Sequence, residues 1–316
     1  MKLLTIIDIA RLAGVGKSTV SRVLNRDPRV SEKTRNKVNA VIELYGYTPS
    51  KQARAMRSGK SKIIGIIASR LDSPSENRSI RGMLETIYQN DYDVVLMESN
   101  FCADNIRTHI ELLARKQVEG VIIMSLPGQD YSYLRDMPFP VVMMAQDIPG
   151  LSSIVYDDAG AINKVMVHLA AQGVKRTAYI GVSTDDPTSG QRRLQAYLDY
   201  CYSHQMNSHH FLGELGYRSG YELAQLALET NPECLVCASD TIALGVRKYL
   251  GEQGRDDIVV TGVGNNDMVR FLFPHHISVR LSYKQSGMKA IELLKQMMAG
   301  KPAVDAYTMP CELVLS

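Results

Sequence analysis

Residues 5–25, TIIDIARLAGVGKSTVSRVLN, decide the fold of the first part of this 316-residue chain. Within them, GVGKST at 14–19 matches the end of the G-x-x-x-x-G-K-[ST] loop that binds nucleotide phosphates. That loop needs glycine at position 11, where this chain has Arg11, and it needs a preceding strand. The apolar residues before it, at positions 6, 9, 10 and 13, instead have the spacing of a helix. We therefore reject a nucleotide-binding loop.

The same stretch predicts two helices that are joined by a tight glycine turn. Thr5 is the predicted N-cap of the first helix, and Asp8 completes a capping box. The second helix is predicted over 17–24, and a third begins after Ser31, its predicted N-cap. Three short helices with this turn form a helix-turn-helix, whose second helix enters the major groove of DNA.

The charge of the chain is divided unevenly and supports a DNA-binding head. Residues 1–62 contain 14 Lys and Arg against 4 Asp and Glu, whereas the remainder contains 22 against 29. A basic head of this size fits a polyanion such as nucleic acid or an anionic membrane. No apolar run approaches the roughly 20 residues that a membrane helix needs, so we expect no membrane partner. The opening residues, MKLLTII, are too short for a signal peptide, which predicts a cytoplasmic protein.

Cysteines and histidines predict neither a disulfide framework nor a metal site. The five cysteines are scattered, and the pair Cys234 and Cys237 lies in CLVCAS, which is typical of a buried strand. The adjacent histidine pairs at 209–210 and 275–276 do not converge on one helix face, and we expect them to be surface or loop residues. We therefore expect no metal and no cofactor.

After Ser61, apolar runs alternate with helical stretches in two series, which predicts an α/β body of two parallel-sheet lobes. The predicted strands are 63–67, 92–97, 120–124, 139–144, 177–182, 234–238, 258–262 and about 308–314. The predicted helices are about 76–89, 103–116, 159–172, 191–205, 241–253 and 283–299.

Polar residues cluster where these strands end, which is where open α/β sheets bind ligands. Arg70 follows the first strand directly, and its planar guanidinium suits a phosphate. A helix is predicted to begin after Ser75, and a helix start also suits an anion. The acid, amide, hydroxyl and arginine groups at the strand ends together fit a polyhydroxylated, negatively charged small molecule.

Two stretches are similar to the lactose/galactose-repressor family of bacterial regulators: residues 5–25, quoted above, and VSEKTRNKVNAVIELYGYTPSKQARAMRSGKS at 30–61. The resemblance implies a helix-turn-helix head over 1–49, a hinge over 50–61 and a periplasmic-binding-protein-like effector and dimerisation body over 62–316. The lobes are expected at about 62–157, with a C-terminal crossover, and at about 158–282.

The resemblance also implies a homodimer on double-stranded, palindromic operator DNA. A hinge helix is expected to wedge the Met56 side chain into the minor groove. The predicted DNA-binding residues are Thr5, Lys17, Ser18, Thr19, Ser21, Arg22, Asn25, Tyr47, Lys51, Arg54 and Met56.

Stretches at 69–77, 78–99, 155–162, 190–201 and 237–253 resemble one branch of the family, the repressors of trehalose operons. This branch implies trehalose 6-phosphate as the effector, with Arg70 as the candidate for its phosphate. Arg193 and Asp240 match effector-site positions of the family. The predicted effector-binding residues are Arg70, Asp72, Ser75, Glu76, Gln146, Arg192, Arg193, Asp240, Asn265 and Tyr283.

The sequence therefore predicts a transcriptional repressor that a sugar phosphate releases from its operator. It contains no HExxH or GxSxG motif, and we expect no enzymatic activity. A regulator of the same class with another sugar or a purine as effector remains an alternative. A sugar-binding receptor without DNA function is a further one, against which the basic head argues.

Overall fold

The computed structural model describes residues 4–47, 61–302 and 306–315. The chain divides into two compact units, Met1–Ser61, which we call the head, and Lys62–Ser316, which we call the body. The predicted hinge residues Lys51, Arg54 and Met56 lie outside the described residues.

The described residues of the head, 4–47, form three helices, as predicted: α1 (Ile6–Leu12), α2 (Lys17–Leu24) and α3 (Glu32–Leu44). The capping box at the start of α1 is confirmed, because the Thr5 hydroxyl accepts from the amide of Asp8 while the Asp8 carboxylate accepts from the Thr5 amide. Between α1 and α2 the chain turns at Gly14, which has φ +56°. The helices pack around a small core of Ile9, Ala10, Ala13, Val20, Val23, Val38 and Tyr47.

The body alternates strands and helices. Its strands are β1 (Ile63–Ala68), β2 (Asp93–Glu98), β3 (Gly120–Met124), β4 (Val141–Ala145), β5 (Ser152–Tyr156), β6 (Thr177–Val182), β7 (His209–Gly213), β8 (Cys234–Cys237), β9 (Val259–Val263), β10 (Ile277–Arg280), β11 (Tyr307–Met309) and β12 (Glu312–Val314). Its helices are α4 (Pro74–Gln89), α5 (Ala103–Arg115), α6 (Asp158–Ala171), α7 (Arg193–Ser203), α8 (Tyr217–Leu228), α9 (Asp240–Glu252), α10 (Asp267–Leu272) and α11 (Tyr283–Met298). A 3-10 helix at Ser132–Asp136 and a π-helical segment at Pro187–Arg192 interrupt the loops.

Among the described residues of the body, the strands form two six-stranded sheets, one in each lobe. The first has the order β11-β5-β4-β3-β1-β2 and is parallel throughout. The second has the order β12-β10-β9-β8-β6-β7, and only its edge strand β12 is antiparallel. The predicted class, a helix-turn-helix head with an α/β body of two parallel-sheet lobes, is confirmed.

The predicted C-terminal strand at about 308–314 is wrong in one respect. The segment forms two short strands, and β11 joins the first sheet whereas β12 joins the second. Pro310 lies between them, and proline has no amide hydrogen with which to continue a strand ladder. The chain therefore crosses between the lobes after β5, before α11 and at this proline.

Helices α4 and α11 pack against the first sheet with their backbones unusually close to each other. A Cβ atom at Gly287 of α11 would lie 1.9 Å from the carbonyl oxygen of Ser79, and one at Gly82 of α4 would lie 2.0 Å from that of Lys284. Only glycine permits this approach. The start of α11 is therefore packed tightly against α4, directly after the chain has left the second lobe.

The cysteines and histidines follow the predictions with one exception. Cys234 and Cys237 are completely buried in the core of the second lobe, as expected. His209 and His210 are exposed at the surface, as expected, and they begin β7. His276 was expected at the surface but is completely buried. Its Nε2 lies 3.1 Å from Oδ1 of Asp240, so the carboxylate gives this polar ring a partner inside the lobe. Within the described ranges no group of His, Cys, Asp and Glu could hold a metal, and no helix could cross a membrane.

Candidate functional site

One face of α2 presents the predicted base-reading side chains. Lys17, Ser18 and Arg22 are exposed, whereas Val20 and Val23 of the opposite face are buried in the head core. The remaining predicted residues on and after α2 are half-buried or exposed: Thr19, Ser21 and Asn25. Short hydroxyls, an amide and two cations on one solvent-facing surface are groups that contact base edges and phosphates.

The start of α2 can also receive a phosphate. Its N-cap, Gly16, has no side chain to cap the first amide groups, and no acidic residue lies in the first turn. The positive end of the helix dipole is therefore free of a competing carboxylate, with Lys17 beside it.

Two predicted DNA-binding residues of the head also have structural roles, of which that of Thr5 was predicted and that of Tyr47 was not. The hydroxyl of Thr5 contacts Oδ2 of Asp8 at 2.7 Å, so it is already hydrogen-bonded at the exposed start of α1. Tyr47 is only 9% exposed and packs in the head core. Its ring therefore holds the end of α3 against α1 and α2.

The body has two adjoining cavities between its lobes, with volumes of about 90 and 160 Å³. Both are lined by the carboxyl ends of strands, as the fold requires. They share Arg70, Ser73, Ser75, Ser189, Arg193, Leu215 and Tyr283.

The smaller cavity has a basic character. Arg70 and Arg78 line it, and the first residues of α4 and α9 reach it from opposite lobes. Arg70 is only loosely paired, because its Nε lies 3.6 Å from Oδ1 of the exposed Asp72. The two helix N-termini and the loosely paired guanidinium of Arg70 favour a phosphate group in this small space.

The larger cavity combines apolar and hydrogen-bonding walls. Phe101 and Met124 contribute apolar surface, while Gln146, Glu76 and Asp186 contribute polar groups. The Glu76 carboxylate is held by the backbone amide of Ser69 at 2.9 Å and by the Ser69 hydroxyl. Burial raises the pKa of Glu76, and the hydrogen bonds from Ser69 oppose this shift.

Beneath both cavities lies a buried ion pair that the sequence did not predict. Arg193 donates from Nε to Oδ1 of Asp158 at 2.7 Å and from Nη1 to the carbonyl oxygen of Ala238 at 2.5 Å. Although burial disfavours its charge, the Asp158 carboxylate holds the pKa of Arg193 above its ordinary value. Oδ2 of Asp158 is buried without a hydrogen-bond partner, and Asp158 lines the larger cavity, so this oxygen is an available acceptor for a ligand hydroxyl.

Asp240 organises the second lobe's side of the smaller cavity. Its Oδ1 accepts from the hydroxyl of Ser278 at 2.7 Å, and its Oδ2 accepts from the amide of Asn266 at 2.6 Å. Asp240 is 2% exposed, so it acts through a fixed carboxylate at the cavity wall.

A contact between the lobes crosses the same region. Nη1 of Arg78, on α4, donates to the carbonyl oxygens of Gly264 and Asn265, both at 2.8 Å, and its Nη2 lies 3.3 Å from Oδ2 of Asp267. This arginine connects the first lobe to the loop that Asp240 holds in the second.

The structure brings together seven of the ten predicted effector residues as cavity walls: Arg70, Ser75, Glu76, Gln146, Arg193, Asp240 and Tyr283. Asp72, Arg192 and Asn265 line neither cavity. Arg192 and Asp72 are exposed. Asn265 is buried, and its backbone amide donates to the Ser278 hydroxyl at 2.9 Å.

Four further residues line the cavities but were not predicted from the sequence: Arg78, Phe101, Tyr156 and Asp158. Tyr156 ends β5 and Asp158 follows it, so recognising that strand would have drawn attention to Asp158 by the strand-end rule. Arg78 lies one turn into a helix, and Phe101 is apolar, so a search for polar strand ends does not find either.

Comparisons with known proteins show the family to which the chain belongs. Residues 5–50 match the family described as bacterial regulatory proteins, lacI family, and residues 166–315 match the periplasmic binding protein-like domain. The HTH-type transcriptional regulator TreR of Escherichia coli K12 is 39% identical over 310 residues, covering 98% of each chain. TreR of Salmonella typhimurium is 40% identical over 298 residues, covering 94% of this chain and 95% of its own.

Solved structures give the same result. The trehalose repressor from Escherichia coli matches with a TM-score of 0.77 at 34% identity, covering 80% of this chain and 99% of that one. The lac repressor dimer bound to operator and the anti-inducer ONPF matches with a TM-score of 0.86 at 24% identity, over 99% of this chain and 98% of that one, which shows the fold alone. The chain therefore belongs to the lacI family of bacterial regulatory proteins, and it is a transcriptional regulator and not an enzyme.

Proposed function

We propose that the protein is a cytoplasmic homodimeric repressor that binds a palindromic operator and is released from it by trehalose 6-phosphate, controlling trehalose uptake and use. The observation that carries the proposal is near-full-length identity of 39–40% to two TreR regulators, together with seven of the predicted effector residues at one cleft. The domain division at 49–50 and 61–62 and the DNA contacts of the head are part of the proposal.

The two cavities of the cleft differ in their lining residues, and together they suit a sugar phosphate. The smaller cavity, with Arg70 and two helix N-termini, suits the phosphate. The larger cavity, with Gln146, Glu76 and the free oxygen of Asp158, suits sugar hydroxyls. A free purine base has no phosphate, so it would leave Arg70 and the helix N-termini of the smaller cavity without an anion, which disfavours it.

Release of the operator follows from a population shift between two forms of the protein, one that binds DNA and one that does not. The effector contacts residues of both lobes, so it favours one lobe arrangement over the other. An effector that binds the DNA-incompetent form ~100-fold more tightly shifts the equilibrium towards that form by ~3 kcal/mol.

The direct test uses the full chain and an operator duplex selected from randomised DNA. Fluorescence anisotropy is followed while trehalose 6-phosphate, trehalose, glucose 6-phosphate or hypoxanthine is added. We expect trehalose 6-phosphate to release the DNA at the lowest concentration. Binding of this compound without any loss of operator affinity would contradict the coupling, and release by hypoxanthine alone would identify a different effector.

Replacing Arg70 by glutamine is expected to weaken trehalose 6-phosphate binding about tenfold to thirtyfold, because a charge-assisted contact to the phosphate is lost. Binding of unphosphorylated trehalose should change little. Isothermal titration calorimetry measures both affinities. The control is Arg192→Gln, which removes the same charge from an exposed residue outside both cavities. Equal losses in the two variants would mean that general charge, not Arg70, attracts the effector.

The homodimer is supported by exposed apolar side chains on α8 and α10. Phe271 is 83% exposed and Met268 is 64% exposed, and Tyr217 and Leu226 continue the surface. A groove beside them is lined by Tyr221 and by the other apolar side chains Leu244, Leu272 and Phe273. Large apolar side chains grouped in this way are typical of a protein–protein contact.

Replacing Phe271 by glutamate is expected to raise the dimer dissociation constant by about tenfold or more, because a charge enters an apolar contact. Sedimentation equilibrium measures this constant. The control is Tyr202→Glu, which changes an aromatic residue that is 89% exposed on α7, away from α8 and α10. If both variants dimerise like the unchanged protein, the contact lies on another surface.

A further inference from the structure

The turn between β2 and α5 holds a bulky residue in a strained backbone conformation beside the cleft. Asn100 and Phe101 are consecutive and have φ of 50° and 55°. Asparagine adopts this left-handed region readily, whereas for a bulky aromatic residue it is a true outlier. The turn is fixed by hydrogen bonds from the amide of Phe101 to the Ser69 carbonyl at 3.3 Å and from the amide of Cys102 to the Ser99 carbonyl at 3.0 Å.

Core packing does not explain this conformation. Phe101 is 57% exposed and belongs to none of the apolar clusters among the described residues. Its ring instead lines the larger cavity, and the guanidinium carbon of Arg70 lies 5.8 Å from the ring centroid. Strain that persists without a packing gain is characteristic of ligand-contacting residues.

We propose that Phe101 is a specificity-determining residue on which a pyranose ring of the effector stacks, next to the Arg70 guanidinium that binds the phosphate. The proposal rests on the proposed function, since it assigns a role within the same cleft. A pyranose ring has a face of C–H groups that packs on an aromatic ring, while its hydroxyls point outward to acceptors such as Oδ2 of Asp158. The turn aims the ring at the cavity, and its backbone bond to Ser69 couples it to the loop that carries Arg70.

Replacing Phe101 by glycine separates ligand binding from stability. Glycine adopts a positive φ without steric cost, so the melting temperature should stay constant or rise. The dissociation constant of trehalose 6-phosphate should rise about tenfold to thirtyfold, because the stacking surface is lost. Phe101→Tyr keeps the ring and should stay within about threefold of the unchanged protein.

The experiment is isothermal titration calorimetry of the full chain with trehalose 6-phosphate and with inorganic phosphate, combined with thermal unfolding. Inorganic phosphate has no ring to stack, so its affinity should be the same with and without the Phe101 ring. If the unchanged protein binds trehalose 6-phosphate and Phe101→Gly binds it equally well, the stacking role is overturned while the proposed function stands. A lower melting temperature with unchanged relative affinities would assign Phe101 a structural role instead. An unchanged protein that fails to bind trehalose 6-phosphate at all overturns the proposed function and this inference with it.

Discussion

Replacement of Arg193 by methionine is expected to lower the free energy of unfolding by about 3–5 kcal/mol, because it leaves the Asp158 carboxylate buried without its counter-ion. The side chains of Arg193 and Asp158 are only 6% and 1% exposed, so water cannot replace the lost partner. Methionine retains much of the volume of arginine, so the loss comes chiefly from charge. Urea unfolding followed by circular dichroism measures the effect.

Two further variants complete this experiment. The neighbouring Arg192→Met removes an exposed arginine and should change stability by less than about 0.5 kcal/mol. The double variant Arg193→Met with Asp158→Leu replaces both charges and should recover most of the lost stability, yet it should not bind the effector. An Arg193→Met protein as stable as Arg192→Met would show that the ion pair contributes nothing to folding.

The parts of the fold that the sequence predicted well are those with a strong local pattern. The apolar run of β1 and the helical spacing of α1 and α2 depend on neighbouring residues, so one stretch of chain is enough to recognise them. Two of the overlooked strands have weak patterns. Strand β5 begins with two completely buried serines, Ser152 and Ser153, and β7 is a partly exposed edge strand that begins with two histidines.

The cleft residues were predicted chiefly by the rule that open α/β sheets bind ligands where their strands end. That rule found Arg70 and Asp240, because each directly follows or closely follows a buried strand. It could not reveal that Arg193 pairs with Asp158, which lies 35 residues earlier in the chain. It also could not distinguish His275 from His276, although only the second is buried, since burial depends on the long-range contact with Asp240.

Replacement of Arg22 by alanine is expected to reduce the preference for the operator over random DNA by about 100-fold. A bidentate contact to a base pair is worth about 1–3 kcal/mol, and the proposed homodimer loses one contact in each half-site. Arg22 is exposed on α2, and the apolar face of this helix is buried in the head, so the variant should fold normally. Anisotropy with the selected operator and with a random duplex, at several salt concentrations, measures the preference.

The matched control is Arg29→Ala, which removes the same charge from the same head but away from α2. Arg29 is exposed and paired with Asp27, with Nη2 to Oδ2 at 2.8 Å, and through this hydrogen bond it lowers the pKa of Asp27 to about 2. Because charge attracts every DNA sequence alike, Arg29→Ala should weaken binding to operator and random DNA by the same factor. Adding Thr19→Ala to Arg22→Ala should lower the selectivity further. If the double variant still prefers the operator as strongly as the unchanged protein does, another element reads the bases. In that case two side chains on the solvent-facing surface of α2 would have been removed without any effect on the operator preference.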